Sequence, residues 1–565
     1  MRELPDTEKR EHVPHGATTI TTNNSKEKTV VAGSAFPVLI EVRWLSDHPS
    51  LSRGDDDGAS VLRHCCAISC ASSRFARPVA WVFRSRRSSP KPIPFAGNVH
   101  QLPKTDFFKT YSSWAKVYGP IVYFYVFGRN FIVLTDLDMV HDLLSKRSAH
   151  YSTRPRMVMA AELVNRGQNS VVFQKYGQRL RDVRRIINSW VGKNVVESSF
   201  PTVTQFNRKM LRSLLESPAD FHAHVKFKFG SLVFKLTYGI DVQSIYDPYI
   251  ALTEEMNRRT SMAIAPGRWL CDSFPILAKI PSWMPWAHFR RWANESREII
   301  QEAIRAPFEA TRTSVLRGED SPSWLAKSLL DAEVDLSVPG VREDLWTAAA
   351  GMYNAAIDTS STAMHAFFLL MVHHPEVQEK AQRELDAVIG NDRLPIIEDR
   401  DSLPYIDNIV KELLRFSAVV PMVPHSNEED DVYNGFFIPK GSWVIANLWG
   451  ILHDPRLYRD PENFIPERFE DMKDYPAEPD LTLAAFGFGR RACPGIHFGL
   501  AALFIDIASI LSVFDIRPAK DGNGRDILPP IEFIDGNIRT MLPFDCVVTP
   551  RSEKKAELVR QSLNE

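Results

Sequence analysis

Ten residues near the carboxyl end, Phe486-Gly487-Phe488-Gly489-Arg490-Arg491-Ala492-Cys493-Pro494-Gly495, constrain the fold more than any other part of the chain. A single cysteine stands there among residues that lack a Cβ or have a restricted φ, so the backbone can lie close against a flat ligand and offer it one sulfur. That is how a chain presents a thiolate to an iron. The apolar run from Phe498 to Ile516 reads as a helix, which puts Cys493 just before a helix N-terminus, where backbone N–H groups stabilise negative sulfur. Arg491 supplies a fixed positive charge for a carboxylate such as a haem propionate, and Phe486 an apolar plate that keeps water off the sulfur.

Phe486, Gly489, Arg491, Cys493 and Gly495 fit the pattern F-x-x-G-x-R-x-C-x-G, and the stretch resembles the haem-thiolate loop of the cytochrome P450 family. On the loop alone, Cys493 could also be a small buried hydrophobe in a glycine-rich turn. Three further motifs follow the family's order. Between Leu345 and Val372 the chain is apolar and helical in character, with Asp358 and His365 as its ionisable residues. A membrane span is the rival reading of so apolar a run. Asp358 near its centre, the hydroxyl cluster Thr359 to Thr362 and continuation through Pro375 into a charged helix favour a buried helix instead. Within it, Ala355-Ala356-Ile357-Asp358-Thr359-Ser360 resembles the family's oxygen-activation motif, with Ala356 replacing the usual glycine. Ala355 and Thr359 are four apart and share a face, so a small side chain leaves room for dioxygen beside a hydroxyl, and Asp358 can relay protons through water. A threonine bonded back to its own helix is the plainer alternative.

In Leu403 to Phe416, Glu412 and Arg415 fall at i and i+3 beside an apolar face, where two charges are expensive unless paired. Glu412-Leu413-Leu414-Arg415 matches the family's E-x-x-R, and Arg468 in Pro466-Glu467-Arg468-Phe469 its third member. By that resemblance the three form a structural lock on the haem-side core, the alternative being an ordinary surface pair.

Two positions depart from the family pattern or fit it loosely. In Tyr176 to Arg185 the family reads W-R-x-x-R, with the tryptophan and second arginine on a propionate; Leu180 stands in the tryptophan's place and Arg184 is retained. His425, in Pro421-Met422-Val423-Pro424-His425, sits where the family often places a second propionate donor, and equally suits a structural histidine.

Composition adds bounds. At 565 residues with 44% hydrophobic content the chain can bury a large core, and a net charge of −1 gives no reason to expect nucleic acid. Six cysteines show no disulfide framework, which points to a reducing compartment. His64, Cys65, Cys66 and Cys70 are crowded, but no second pair at zinc-site spacing follows them. Residues 1–88 read as a poorly ordered leader without a clear membrane anchor: the apolar pieces Val30 to Leu45 and Ala59 to Phe83 are broken by charges, short of the ~18 residues a span needs. Order begins at the proline-rich arm Pro90 to Asn98. A helix around Phe107 to Tyr118 and strands Ile121 to Phe127 and Phe131 to Thr135 follow. Tyr433 to Asn447 reads as a small sheet, the end from Phe514 to Phe544 resembles the family's terminal hairpin with a turn near Gly536, and Ser552 to Glu565 reads as a charged tail.

The resemblance therefore implies a mainly α fold with a small β region over residues 89–550, and a charged tail at 551–565. It is the cytochrome P450 fold, with haem b between a long central helix and the helix after the cysteine loop. It implies a monooxygenase that inserts one atom of O2 into a small apolar substrate, with Cys493 on the iron and Asp358 and Thr359 delivering protons. No G-x-G-x-x-G follows a strand, so electrons come from outside, and the family's donor is NADPH-cytochrome P450 reductase. The C-terminal third is most similar to fungal members of secondary metabolism, which oxidise terpenoids or polyketides. The family's usual place is the cytosolic face of the endoplasmic reticulum, with peripheral membrane contact in this chain. A haem-thiolate isomerase or dehydratase, which does not need Asp358 and Thr359, and a non-catalytic haem sensor are the other readings. The lid that selects substrate falls, by the same resemblance, in the loop Tyr151 to Phe173 and in residues 195–335.

Overall fold

Pattern and punctuation in the sequence decide where the helices start and stop, and packing around one of them decides the rest. The computed structural model describes residues 89–319, 322–473, 475–534 and 536–562. The leader 1–88, with His64, Cys65, Cys66 and Cys70, lies outside the described residues. The principal helices are α1 (Phe107–Tyr118), α2 (Gln178–Val191), α3 (Phe200–Glu216), α4 (Phe221–Tyr238), α5 (Pro248–Ile264), α6 (His288–Leu316), α7 (Val341–His373), α8 (Pro375–Val388), α9 (Pro404–Ser417), α10 (Ile496–Val513) and α11 (Glu553–Gln561). Shorter helical turns connect them.

The organising element is α7. It starts after Gly340, at φ 95°, with Glu343 and Asp344 in its first turn and His373 in its last, charges that suit the helix dipole. It ends at His374 because the following Pro375 excludes helical geometry there. Helices α2, α4, α6, α9 and α10 all pack on it, and Phe367, Phe368, Leu369 and Leu370 are buried in the largest core cluster with Ile505, Ile507 and Leu511 of α10. Two described helices, α7 and α10, are long and apolar enough to cross a membrane, and both are mostly enclosed by the rest of the fold. The apolar run after Cys493 is helical only to Val513. From Phe514 it becomes strand β7 (Phe514–Lys520), whose aromatic Phe514 and β-branched Ile516 are buried while Asp515 and Arg517 between and after them are accessible.

The β region is small. Strands β1 (Ile121–Val126) and β2 (Arg129–Leu134) form the hairpin that the pattern predicts, turning at Phe127-Gly128, both at positive φ. β3 (Met422–Ser426) and β6 (Trp443–Asn447) join it in the order β1-β2-β6-β3, with β6 parallel to β2. β4 (Asp431–Tyr433) and β5 (Phe436–Ile438) pair across Asn434-Gly435, so the single sheet read over Tyr433 to Asn447 is divided between two. The proline arm does not run free. Gly97 bridges to Val126, and a Cβ at Gly97 would lie 2.1 Å from the Tyr125 carbonyl. Near the end, the short β8 (Asp526–Ile527) pairs with β7, β9 (Phe533–Ile534) and β10 (Thr540–Met541) make the terminal hairpin, and β11 (Cys546–Pro550) returns on the other side of β7.

One reading of charge needs correction. The segment after 551 is not a bare tail: Ser552 caps α11, and Lys555 is buried, donating to the Gly390 carbonyl at 2.7 Å and to Ser512. Alternating charge hid the apolar face of Ala556 and Val559 that packs it down. On α8, Lys380 ignores Glu376 four residues away and reaches Glu467 and Glu470 at 3.2 and 3.3 Å. A partner across the fold outcompetes one on the same helix when it holds the ammonium half-buried.

Candidate functional site

Cys493 lies between a helical turn, Gly489–Arg491, and the first residue of α10. Its N–H donates to the Phe486 carbonyl at 2.8 Å, closing the loop. Gly489 sits at φ 54°, and a Cβ there would meet the Leu144 carbonyl at 2.1 Å, so no other residue fits. Gly495, the N-cap of α10, has an ordinary φ of −90°; its nearest neighbour to an added Cβ is the Cys493 sulfur, 4.0 Å away. Burial pushes the Cys493 thiol up, while the Gly495 N–H and the Arg184 guanidinium pull the other way. The Phe486 ring lies against Gly499 of α10, beside the sulfur's own helix.

Around this loop the chain gathers positive charge. Arg184 of α2 donates to the Ala492 carbonyl at 2.7 Å, one residue from the cysteine. Arg491 donates to the carbonyls of Ser152, Val171 and Gln174. Burial and the neighbouring charges of Arg154 and Arg184 push Arg491 down to about 9. His425 of β3 bonds through Nδ1 to the Tyr151 carbonyl at 2.6 Å, and its buried Nε2 has no partner, as does Ser152 Oγ. Burial, with Arg154 and Arg491 nearby, pushes His425 down to about 3. Arg154 was not singled out in the sequence. It bonds to the carbonyls of Val172 and Pro424, and burial beside Arg184 pushes it down to about 10. Nothing in the local pattern Ser152-Thr153-Arg154-Pro155 announces this, because the other members come from α2, β3 and the cysteine loop. Arg154, Arg184, Arg491 and His425 face one another with no carboxylate in ion-pair range of any of them among the described residues.

On α7, Thr359 Oγ1 bonds back to the Ala355 carbonyl at 2.6 Å, and Ser361 does the same to Ile357. The plainer reading of Thr359 is thus what the hydroxyl is doing here. Asp358 points to α5, where Asn257 Nδ2 donates to its Oδ2 at 3.2 Å. Burial raises the Asp358 carboxyl, Glu254 adds to the rise, and Lys226 and Asn257 oppose it. Ala355 is exposed midway along a helix packed on most sides, so accessible space opens at this turn.

Glu412, Arg415 and Arg468 are brought together and buried, at 0%, 2% and 1% exposure. Arg415 grips Glu412 with two nitrogens at 2.7 and 2.9 Å, Arg468 Nε donates at 3.0 Å and the Ile465 N–H at 2.9 Å. The remaining arginine donors reach the carbonyls of Leu452, Pro461, Asn463 and Arg459. Glu478, which the sequence reading missed, adds a second carboxylate to Arg468. Thus every charge in the group has an opposite charge, the arginines have a set of carbonyls besides, and Glu412 has a backbone N–H.

The donor set suits a haem. A lone thiol on a loop that glycine holds open would supply one axial sulfur, and the uncompensated cations with the orphaned His425 Nε2 and Ser152 Oγ would receive its two carboxylates.

The comparisons with known proteins agree with this chemistry. The family model for cytochrome P450 matches residues 88–543. Cytochrome P450 monooxygenase claR of Ampulloclitocybe clavipes is 38% identical over 481 residues, covering 83% of this chain and 87% of that protein. Cytochrome P450 monooxygenase COX2 of Coprinopsis cinerea is 37% identical, covering 86% and 94%. Cytochrome P450 monooxygenase 208 of Postia placenta is 36% identical, covering 85% and 94%.

Proposed function

This chain belongs to the cytochrome P450 family, as a monooxygenase, and from that premise we propose that it oxidises a small, mainly apolar secondary metabolite of terpenoid or polyketide type with electrons from NADPH-cytochrome P450 reductase. The observation that carries the site assignment is the pairing of one thiol, Cys493, with a cluster of buried and half-buried cations that has no anion of its own among the described residues. Haem b would be held by Cys493 at the iron and by Arg491, Arg184, Arg154 and His425 at its carboxylates, with Phe486 shielding the sulfur. Bound there, it supplies the thiolate-ligated iron at which O2 is activated.

The chain's own residues then have separate tasks. Gly489 lets the cysteine loop approach Leu144 closely enough to fix the sulfur's position. Asp358, its carboxyl raised by burial, holds a proton at Oδ1 or Oδ2 above the ordinary carboxylate range and passes it toward the accessible turn at Ala355. Thr359 orders water there when its hydroxyl leaves the Ala355 carbonyl. The Glu412, Arg415 and Arg468 lock keeps α9 and the segment before the cysteine loop in register.

Residues 265–287 support peripheral membrane contact at the cytosolic face of the endoplasmic reticulum. Trp283 and Trp286 are 76% and 69% exposed, Ile276 and Leu270 are exposed beside them, and the Phe274 ring lies 5.4 Å from Phe127. The segment's one carboxylate, Asp272, is turned inward onto the N–H groups of Val158 and Met159, leaving Arg268 and Lys279 at the surface. Exposed tryptophans with cations and no free acid suit a lipid headgroup layer.

A carbon monoxide difference spectrum of the reduced, haem-loaded protein tests the assignment. A thiolate-type Soret band, lost in Cys493→Ser, is the expected result. A spectrum without that band, or one that Cys493→Ser leaves unchanged, overturns it.

A further inference from the structure

Outside the cluster at the cysteine loop, several buried cations among the described residues are well provided for, and Arg166 is not. Arg208 donates to Asn207, Ser509 and the Pro395 carbonyl, Arg259 to Glu255, Glu295 and Ser296, and Lys228 to Asp506 at 2.7 Å. Arg166 is 2% exposed, yet its guanidinium meets only Asn169 Oδ1, at 3.0 Å, and the Met256 thioether, at 3.9 Å. Its Nε has no acceptor, and no carboxylate lies within ion-pair range of it among the described residues. A guanidinium does not shed its charge in a protein, and burying one against an amide and a sulfur is costly until an anion joins it.

What lies beside it points to the missing partner. Asn354 of α7 has its Nδ2 4.0 Å from the same Met256 sulfur and its buried Oδ1 without a donor. Asn354 directly precedes the exposed Ala355 and stands one turn before Asp358, whose partner Asn257 is the neighbour of Met256. The surrounding side chains are apolar: Leu163, Val164, Met256 and Ala350 belong to one buried cluster. An apolar wall with one unmatched cation and one unmatched amide is the composition of a ligand site.

We infer that Arg166 anchors the substrate, and that this substrate carries a carboxylate on an otherwise apolar skeleton. Its oxygens take the free N–H donors of Arg166, the Asn354 amide rotates to offer Nδ2 as a second donor, and the skeleton lies along α7 at Ala355. This narrows the substrate class of the monooxygenase reading and rests on it.

Calorimetric titration of the haem-loaded protein with two matched pairs, abietic acid with its methyl ester and lauric acid with its methyl ester, tests the inference. The expected result is acid binding about tenfold or more tighter than ester at neutral pH in at least one pair, with the preference gone in Arg166→Met. Without ligand, Arg166→Met melts at or above the wild type, since no protein carboxylate loses its partner. Equal binding of acid and ester in both pairs, no binding included, overturns the inference, as does a preference that survives in Arg166→Met. If that variant does not fold, Arg166→Lys replaces it: retained charge without the planar fork should shrink the preference, and an unchanged preference is again fatal. The carbon monoxide spectrum of the same preparations reports separately on the haem site. Acid preference without the thiolate band rejects the monooxygenase reading, and the band without acid preference rejects only Arg166.

Discussion

Glu412→Gln should be among the most damaging single changes in the chain, although Glu412 touches no substrate. The substitution keeps the shape of the side chain and removes its charge. Four donors now converge on that carboxylate, three from guanidiniums and one from the Ile465 N–H. An amide has one acceptor oxygen for them and turns an NH2 group toward two arginines that remain buried and charged. Breaking a buried pair from one side costs about 3–5 kcal/mol, against about 0–1 kcal/mol for an exposed pair. Asp182→Asn, which removes the exposed Asp182–Arg185 pair, is the matched control. Urea unfolding followed by tryptophan fluorescence should show the Glu412→Gln midpoint lowered by about 1 M, and Asp182→Asn hardly moved. Glu412→Gln with Arg415→Met should be no worse than Glu412→Gln alone, because one stranded charge has gone. A midpoint like that of Asp182→Asn, or strictly additive losses in the double variant, would refute the lock.

The remaining predictions concern the site and its surroundings. Gly489→Ala should abolish haem incorporation, since its Cβ meets a backbone carbonyl, whereas Gly495→Ala should retain pigment; equal pigment in both contradicts the close-approach argument. Asp358→Asn should slow turnover by about 100-fold and remove the fall in rate expected of the wild type as pH rises through the raised carboxyl pKa. An unchanged pH profile assigns the proton to another group. His425 and His453 are pushed down to about 3 and His365 to about 4, chiefly by burial, so the fold holds them neutral while the unfolded chain protonates near pH 6.5. Stability of the haem-free protein should therefore be complete above about pH 6.5 and fall as acid is added, with His453 contributing on the order of 3 kcal/mol between pH 7 and pH 4. His453→Phe should flatten that part of the curve. Trp283→Ala with Trp286→Ala should cut cosedimentation with anionic phospholipid vesicles severalfold, and unchanged binding would move the membrane face elsewhere.

Much of the site was legible because its chemistry is local. The cysteine loop needs Gly489 at positive φ and a helix after Cys493, and both are written in consecutive residues. The spacing of Glu412 and Arg415 shows a pair on one helix face, and Asp358 and Thr359 stand out against an apolar run. Arg154, Glu478, Asn257 and Arg166 were invisible for the opposite reason. Each sits in an unremarkable stretch and acquires meaning only from residues far along the chain: Arg154 from Pro424, Glu478 from Arg468, Asn257 from Asp358, Arg166 from Met256.

By itself the sequence determined the family, the helical character of α7 and α10, and the place of Cys493 on a glycine-rich loop just before α10, because periodicity and glycine geometry act within a few residues. Tertiary structure alone decided which cations lack a counter-charge. It also paired Lys380 with Glu467 and Glu470 and turned β6 away from β5 to lie parallel with β2. Those outcomes depend on burial, which sets what a charge or an unpaired backbone group costs and which no short window of sequence contains.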